Sequence, residues 1–579
     1  MDARAASLIR RYDLHLAAPV LRLSRRMQSH QDAPARLRRS HNRSDNLKHQ
    51  NELGYCKGMK MSHIRVAATV IAGLTAFLPQ AQASGNSNTF TKATTAKIDF
   101  RATPIRAALD CTSMTSETAD GVRITASEFV AAKDDAPAYC KINGVIPAEI
   151  GFQINLPIAW NGRLFMYGNG GFAGEDAEAP LERRSRDTAL SNGFATARTD
   201  TGHLDAKEPL GTFAVKQDKV VDNAYRAVHS TVVLAKKLAT KFYATAPKFS
   251  YWDGCSTGGR QGLMSAQRYP TDFNGIVATA PTLRWNDVMI KGLWNQKALD
   301  RGKLTPGKMQ TVFKAFTAKC DALDGATDGL VDDPRQCKFS PAADVKRCEA
   351  NANNDECLSD READALQQIY DGPRDSKGNP LFVAQVPGSE DKSTLAPFVM
   401  RPDGSPNILT IFAHSWMKYL VFQNPDYDPA SFDYDKDPQK SRGLDELYNP
   451  TTDLTAFRDA GGKIITFWGW ADNALNPQMG INYYDEVVQK YSLANTQSFY
   501  RFFLVPGFAH CRGGYGPVEV DAMTTLIDWV EGGIVPERLP AQLTKDGTVK
   551  YRRAYCPYPR STKYVGSGDT EDPKNYTCQ

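Results

Sequence analysis

No two cysteines in this 579-residue chain have the C-x2-C spacing, and no two histidines fall at ligand spacing, which argues against a structural or catalytic zinc site. The chain also lacks a long apolar run. Its longest, 66–78, covers 13 residues, too few for a stable membrane-spanning helix. The glycine-rich stretch 168–174 has neither a Walker lysine nor full G-x-G-x-x-G spacing, so it does not read as a nucleotide cradle. A dominant charge sign is missing too. The formal net charge is +5, from 70 Lys and Arg against 65 Asp and Glu, and says little because many of the positive residues crowd into the first 65 positions; a nucleic-acid-binding arm would share that composition, but the segment after it argues against one, and no nucleic-acid partner is expected. With 41% hydrophobic and 23% charged residues, the composition is that of a soluble globular protein large enough for a full core plus one insertion.

Residues 1–58 have no apolar periodicity and read as a disordered or non-native extension. After them come a short basic region, Met59-Lys60-Met61-Ser62-His63-Ile64-Arg65, the apolar run, and the small-x-small site Ala81-Gln82-Ala83. That order is a secretory signal peptide over 59–83. Because such a signal starts at the translation start, synthesis is expected to begin at Met59 or Met61, and the mature chain near Ser84. The expected location is periplasmic or extracellular, with no membrane association once the signal is removed. Cysteine usage agrees: of 11 cysteines only Cys56 precedes the cleavage site, and an even number in an oxidising compartment points to disulfides.

An irregular lead-in over 84–150 is expected, followed by an alternating strand at 150–156 and a buried strand, Arg163-Leu164-Phe165-Met166-Tyr167, that runs into the glycine loop. Further strands are read at 194–197, 249–252, 463–468 and 499–505, and helices at 224–243, 261–269 and 521–531. Alternating strands and helices indicate a mostly parallel sheet flanked by helices, with active groups at the strands' carboxyl ends. The rhythm lapses between about 281 and 450, a stretch rich in Pro, Gly, Asp and aromatics such as Trp285, Trp294, Phe398, Phe412, Trp416, Tyr419, Phe422 and Tyr427. A loop of that length without structure is implausible in a compact protein, so 281–450 reads as an inserted lid domain on a catalytic domain built from 84–280 and 451–579. Its aromatics either line a pocket for a flat substrate or form the lid's own core.

The chemistry concentrates at Gly254-Cys255-Ser256-Thr257-Gly258, which fits the G-x-S-x-G nucleophile elbow between a strand and a helix. Ser256 is the candidate nucleophile. The Thr257 backbone N–H faces the oxyanion, and the glycine loop is expected to supply a second N–H from Gly168. Asp472 and His510 lie just beyond later strands, which gives the chain order Ser, Asp, His of an α/β-hydrolase. A serine hydroxyl needs an imidazole to take its proton, and the aspartate holds that imidazole's tautomer and stabilises the imidazolium.

Together with His510-Cys511, Trp160-Asn161-Gly162-Arg163, Gly469-Trp470-Ala471-Asp472 and Cys556-Pro557-Tyr558-Pro559, the elbow resembles the tannase and feruloyl esterase family, from about residue 105 to the C-terminus. The resemblance implies secreted serine esterases that cleave esters of aromatic, phenolic acids beneath a lid, in a family that also holds terephthalate monoester hydrolases. A non-catalytic protein that keeps the fold is the alternative, and an intact Ser, Asp and His set argues against it. Asp321, Asp324 and Asp328 offer hard oxygens on a tight loop without EF-hand spacing, and a solvated Asp/Gly turn would look the same. The family resemblance implies a structural calcium ion there, with carbonyls from Ala326 and Leu330, and no organic cofactor. Cys255 and Cys511 each adjoin a proposed catalytic residue, so bringing His510 to Ser256 brings them within disulfide range. The remaining cysteines then pair locally: Cys111 with Cys140, Cys320 with Cys337, Cys348 with Cys357, and Cys556 with Cys578.

Overall fold

The computed structural model describes residues 90, 96–101, 104–116, 121–134, 136–349, 354–396, 398–401 and 405–579. The extension expected over 1–58, the signal peptide over 59–83 and Cys56 lie outside them. Nine strands form one sheet: β1 (Arg123–Val130), β2 (Tyr139–Ile146), β3 (Ile150–Pro157), β4 (Arg163–Tyr167), β5 (Ala195–Thr199), β6 (Phe249–Cys255), β7 (Gly275–Thr279), β8 (Lys463–Gly469) and β9 (Tyr500–Val505). Their spatial order is β9-β8-β7-β6-β4-β5-β3-β2-β1. From β9 to β5 all neighbours are parallel, and β5, β3, β2 and β1 pair antiparallel.

The parallel strands are almost continuously buried, because helices cover both faces. Successive side chains enter opposite layers. Leu164 and Met166 of β4 join one apolar cluster with Trp252 and Ile464, while Phe165 and Tyr167 join the other with Tyr251 and Phe467. The covering helices are α1 (Pro180–Ser191), α2 (Ala227–Tyr243), α3 (Thr257–Arg268), α8 (Pro477–Tyr491) and α9 (Ala522–Gly532), and the stretch between β7 and β8 adds α4 (Trp285–Gly302), α5 (Pro306–Cys320), α6 (Asp360–Asp371) and α7 (Ile408–Trp416). This mostly parallel sheet with flanking helices is an α/β-hydrolase fold.

Two expectations change. The lead-in is not irregular throughout: it contains β1 and β2. β1 is a sheet edge whose residues are exposed or half-exposed without a clean period of two, so its pattern carries little strand signal. It forms because β3 supplies a template through β2. A C-terminal hairpin, Leu539–Lys545 with Thr548–Tyr555, also goes beyond the sequence expectation.

Between Thr279 and Lys463 the described residues contain helices and no strand. There α4 crosses α7 closely, and a Cβ at Gly292 would lie 3.1 Å from that of Ala413. Trp285, Phe412 and Trp416 are buried and gather round Phe172 of the glycine loop, with ring centroids 5.8, 5.2 and 5.3 Å away. These aromatics are core, and they join the inserted helices to the loop beside Ser256. The ten cysteines expected to pair do so, with Cys255–Cys511 bridging 256 positions and the other four bridges spanning 9 to 29.

Candidate active site

Strand β6 ends at Cys255 and α3 begins at Thr257, so Ser256 alone makes the turn, at φ 61° and ψ −120°. A residue with a side chain holds that strained geometry only where its surroundings enforce it. They do so by backbone contact. A Cβ at Gly254 would fall 2.5 Å from the Gly258 carbonyl carbon, and one at Gly168 would fall 2.6 Å from the Gly258 Cα. The Ser256 N–H donates to the Thr279 carbonyl at 3.1 Å, and its own carbonyl accepts from Thr282 N–H at 3.0 Å.

His510 arrives on the loop after β9. Its Nε2 lies 3.0 Å from Ser256 Oγ, and its Nδ1 lies 2.8 Å from Asp472 Oδ2. The His510 side chain is 5% exposed and that of Asp472 not at all. Every lone-pair direction of the carboxylate is used: Oδ2 also accepts from Trp468 Nε1 at 3.1 Å, and Oδ1 accepts from the Ala474 and Leu475 N–H groups at 3.0 and 2.8 Å. With Nδ1–H donating to the carboxylate, Nε2 faces the serine as an acceptor, as a general base requires. Phe398 stands edge-on to the imidazole at 4.9 Å between centroids. The Cys255–Cys511 disulfide, Cα to Cα 5.7 Å, ties the elbow to the histidine loop.

The glycine loop corrects one expectation. The Gly168 N–H is not free to meet an oxyanion, because it donates to the Asp253 carbonyl at 2.8 Å and extends the β4–β6 ladder by one step. The next two N–H groups are also engaged, Asn169 with Gln261 Oε1 at 3.0 Å and Gly170 with Glu175. Gly171 is the loop residue beside the elbow, and its carbonyl accepts the Thr257 hydroxyl. Arg198 locks the loop from behind: it donates to the Gly168 carbonyl at 2.7 Å and pairs with Glu182 and Glu175.

The acidic loop after α5 is shaped by its own backbone. Asp321 Oδ1 accepts from Gly329 N–H, Asp324 from the Ala326 and Asp332 N–H groups, and Asp328 Oδ1 from Leu330 N–H. Asp328 Oδ2 is held by Tyr551 at 2.6 Å and Arg553 at 2.5 Å. Burial, with repulsion from neighbouring carboxylates, pushes Asp324 up to about 6 and raises Asp321. Asp332 Oδ2 is buried with no hydrogen-bond partner. Hard oxygens with excess negative charge suit calcium in kind. Among the described residues, however, no three acidic, histidine or cysteine side chains gather into a closed metal cage.

Local spacing gave no sign of Thr282, whose hydroxyl lies 3.5 Å from Ser256 Oγ, and named Phe398 only as one of many aromatics that line a pocket or fill a core; both reach the site through the tertiary fold. Trp468 carried a signal that could have been used: an indole four residues before Asp472 at the end of a buried strand needs an acceptor.

The family model for tannase and feruloyl esterase matches residues 138–579. An uncharacterized esterase of Xanthomonas campestris pv. campestris is 31% identical over 90% of this chain and 96% of its own length. Mono(2-hydroxyethyl) terephthalate hydrolase of Piscinibacter sakaiensis is 30% identical over 78% of this chain and 88% of its own. Among solved structures, feruloyl esterase B from Aspergillus oryzae superposes with a TM-score of 0.71 at 28% identity, covering 81% of this chain and 99% of that one. Matched over most of its length by that family model and carrying a Ser256–His510–Asp472 array at the elbow, this chain belongs to the tannase and feruloyl esterase family and is a carboxylic ester hydrolase.

Proposed function

We propose that the protein is a secreted serine esterase that hydrolyses esters of aromatic, phenolic acids through an acyl-enzyme on Ser256. The observation that carries this is the continuous path from Ser256 Oγ through His510 to Asp472, 3.0 and then 2.8 Å. His510 Nε2 takes the serine proton as Oγ attacks the ester carbonyl. The N–H groups of Thr257 and Gly171 receive the oxyanion, and Asp472 stabilises the imidazolium. His510 then protonates the departing alcohol, and water repeats the sequence to release the acid. The segment 281–450 acts as a lid, and Phe398 sets one wall beside the histidine. Five disulfides favour an oxidising compartment, and no helix among the described residues is long and apolar enough to cross a membrane.

We also assign a structural calcium ion to the loop 321–332, with Asp321, Asp324 and Asp328 and the Ala326 and Leu330 carbonyls as ligands. The unpartnered Asp332 oxygen and the crowding of carboxylates support it. The relative from Piscinibacter favours a second reading of specificity, a terephthalate monoester as substrate. A panel of feruloyl, galloyl and terephthaloyl esters, run alongside labelling by a serine-directed phosphonate, separates the readings. The family result is fastest turnover on a phenolic ester with the label on Ser256. Labelling elsewhere, or no turnover of any of the three, overturns it.

A further inference from the structure

Helix α4 carries Lys291 within the apolar run Met289-Ile290-Lys291-Gly292-Leu293, and the residue is 2% exposed. Among the described residues two other lysines are nearly as deeply buried, and each has an acidic partner: Lys219 pairs with Glu149 and Glu208, and Lys308 with Glu362. Lys291 forms no ion pair among the described residues. Its Nζ donates instead to two backbone carbonyls, Asn473 at 3.2 Å and Ala474 at 3.5 Å. An ammonium buried without a counter-charge is costly, so its retention needs a reason.

The two carbonyls supply one. The Asn473 carbonyl shares a peptide group with the Ala474 N–H, and the Ala474 carbonyl shares one with the Leu475 N–H. Those two N–H groups hold Asp472 Oδ1. Each peptide is therefore gripped at its oxygen by the lysine and at its nitrogen by the triad carboxylate, a pair of charge-assisted relays in which each hydrogen bond polarises the next. We infer that Lys291 is a positioning residue for the triad: by fixing and polarising these two peptide groups it holds Asp472 Oδ1 in place, keeps Oδ2 turned toward His510, and moderates the basicity of the imidazole. This rests on the serine-esterase function proposed above.

Asp472 is the ionisable group whose charge reaches Lys291, and it partly offsets the burial that lowers the ammonium to about 8. The other charged groups nearby are engaged or face outward. On α4, Asp287 binds Arg284 and Arg442. On α6, Glu362 binds Lys308, Asp360 binds Arg347, Asp371 takes Gln367, and Arg361 and Asp364 are exposed, as is His414 on α7. Asp445 binds Asn286 and Arg442, Lys440 binds Asp437, and Glu390 binds Tyr370.

The test uses the full chain, an aryl ester across a range of pH, and phosphonate titration to count competent sites. Rates are then given per site whatever the folded fraction. In Lys291→Met, kcat per site falls about tenfold to a hundredfold while KM moves less than about threefold. The acid limb of kcat/KM shifts to higher pH by about half a unit or more, because removing a positive charge favours the protonated imidazole. Lys291→Gln returns a neutral donor, so it recovers part of kcat and keeps the shifted limb. Wild-type kcat per site with an unmoved limb in either variant overturns the inference, including the case where the Met variant fails to fold and the Gln variant titrates like wild type. Failure of the wild-type protein to take the label on Ser256 would instead refute the serine esterase itself.

Discussion

Two of the buried aspartates meet opposite fates. Asp472 spends both oxygens on four donors: two backbone N–H groups, the Trp468 indole and His510. Asp332, at the end of the acidic loop, leaves Oδ2 without a partner, and burial pushes its carboxyl well above the usual range. Burying a carboxylate costs free energy that hydrogen bonds or a counter-charge must offset. At the triad the protein supplies the compensation itself, in place before any substrate arrives. In the acidic loop the protein's own groups leave that carboxyl oxygen without a donor, and the cation proposed for the loop would compensate it. Disulfides support the two regions on different scales, Cys255–Cys511 across the chain and Cys320–Cys337 across 17 positions.

The comparison breaks most simply if the triad is not the engine. Ser256→Ala is expected to lower kcat more than about a thousandfold, leaving only oxyanion and binding effects, with the melting temperature unchanged. Substantial turnover in that variant would remove Ser256 from the mechanism. Next, the two aspartates are exchanged for amides. Asp472→Asn should cost about a thousandfold or more in kcat, because the amide favours the wrong imidazole tautomer. Asp332→Asn should leave kcat per site near wild type and alter only thermal stability and its response to calcium. Equal kinetic losses in the two variants would erase the distinction.

Chelation is expected to have a smaller effect. A chelator in excess lowers the melting temperature by several degrees, and added calcium restores it, by mass action on the folded state. A melting curve that ignores both, on protein shown to be metal-free, leaves the loop as a plain turn.

Asp200, the smallest test, lies between the two cases. Its Oδ1 accepts from the Gly151 and Gly202 N–H groups, yet burial still pushes it up to about 7. A carboxyl raised in the folded state weakens folding as pH climbs from its unfolded value near 4 to its folded value, and the penalty levels off above that. Asp200→Asn should therefore raise the melting temperature slightly at pH 8 and leave it unchanged at pH 4. Stabilisation that grows toward acid pH would show the sign to be wrong.

Much of the catalytic face was legible in the residues themselves. A serine between glycines after a buried strand, an aspartate and a histidine at later strand ends, and a cysteine beside each of two candidate catalytic residues are local patterns, and local steric and hydrogen-bonding rules give them meaning. The strands carrying them were legible because a strand buried on both faces is a run of apolar residues with few competing interpretations. The edge strand β1 was not, because a half-exposed strand has a weak pattern and owes its structure to its neighbour.

The sequence by itself therefore determined which groups make up the candidate triad and the order in which the chain presents them. Only the tertiary structure decided which of their partners are already taken. The Gly168 N–H is lost to the oxyanion because β4 runs one residue further along β6, to Asp253, than the glycine pattern reveals. Phe398 meets His510, and Lys291 meets the carbonyls behind Asp472, because inserted helices and loops pack against strand ends far away in the chain. The physical reason is common to all three. Intrinsic conformation and reactivity are short-range properties of a residue, whereas the saturation of a buried donor or acceptor depends on every element that closes around it.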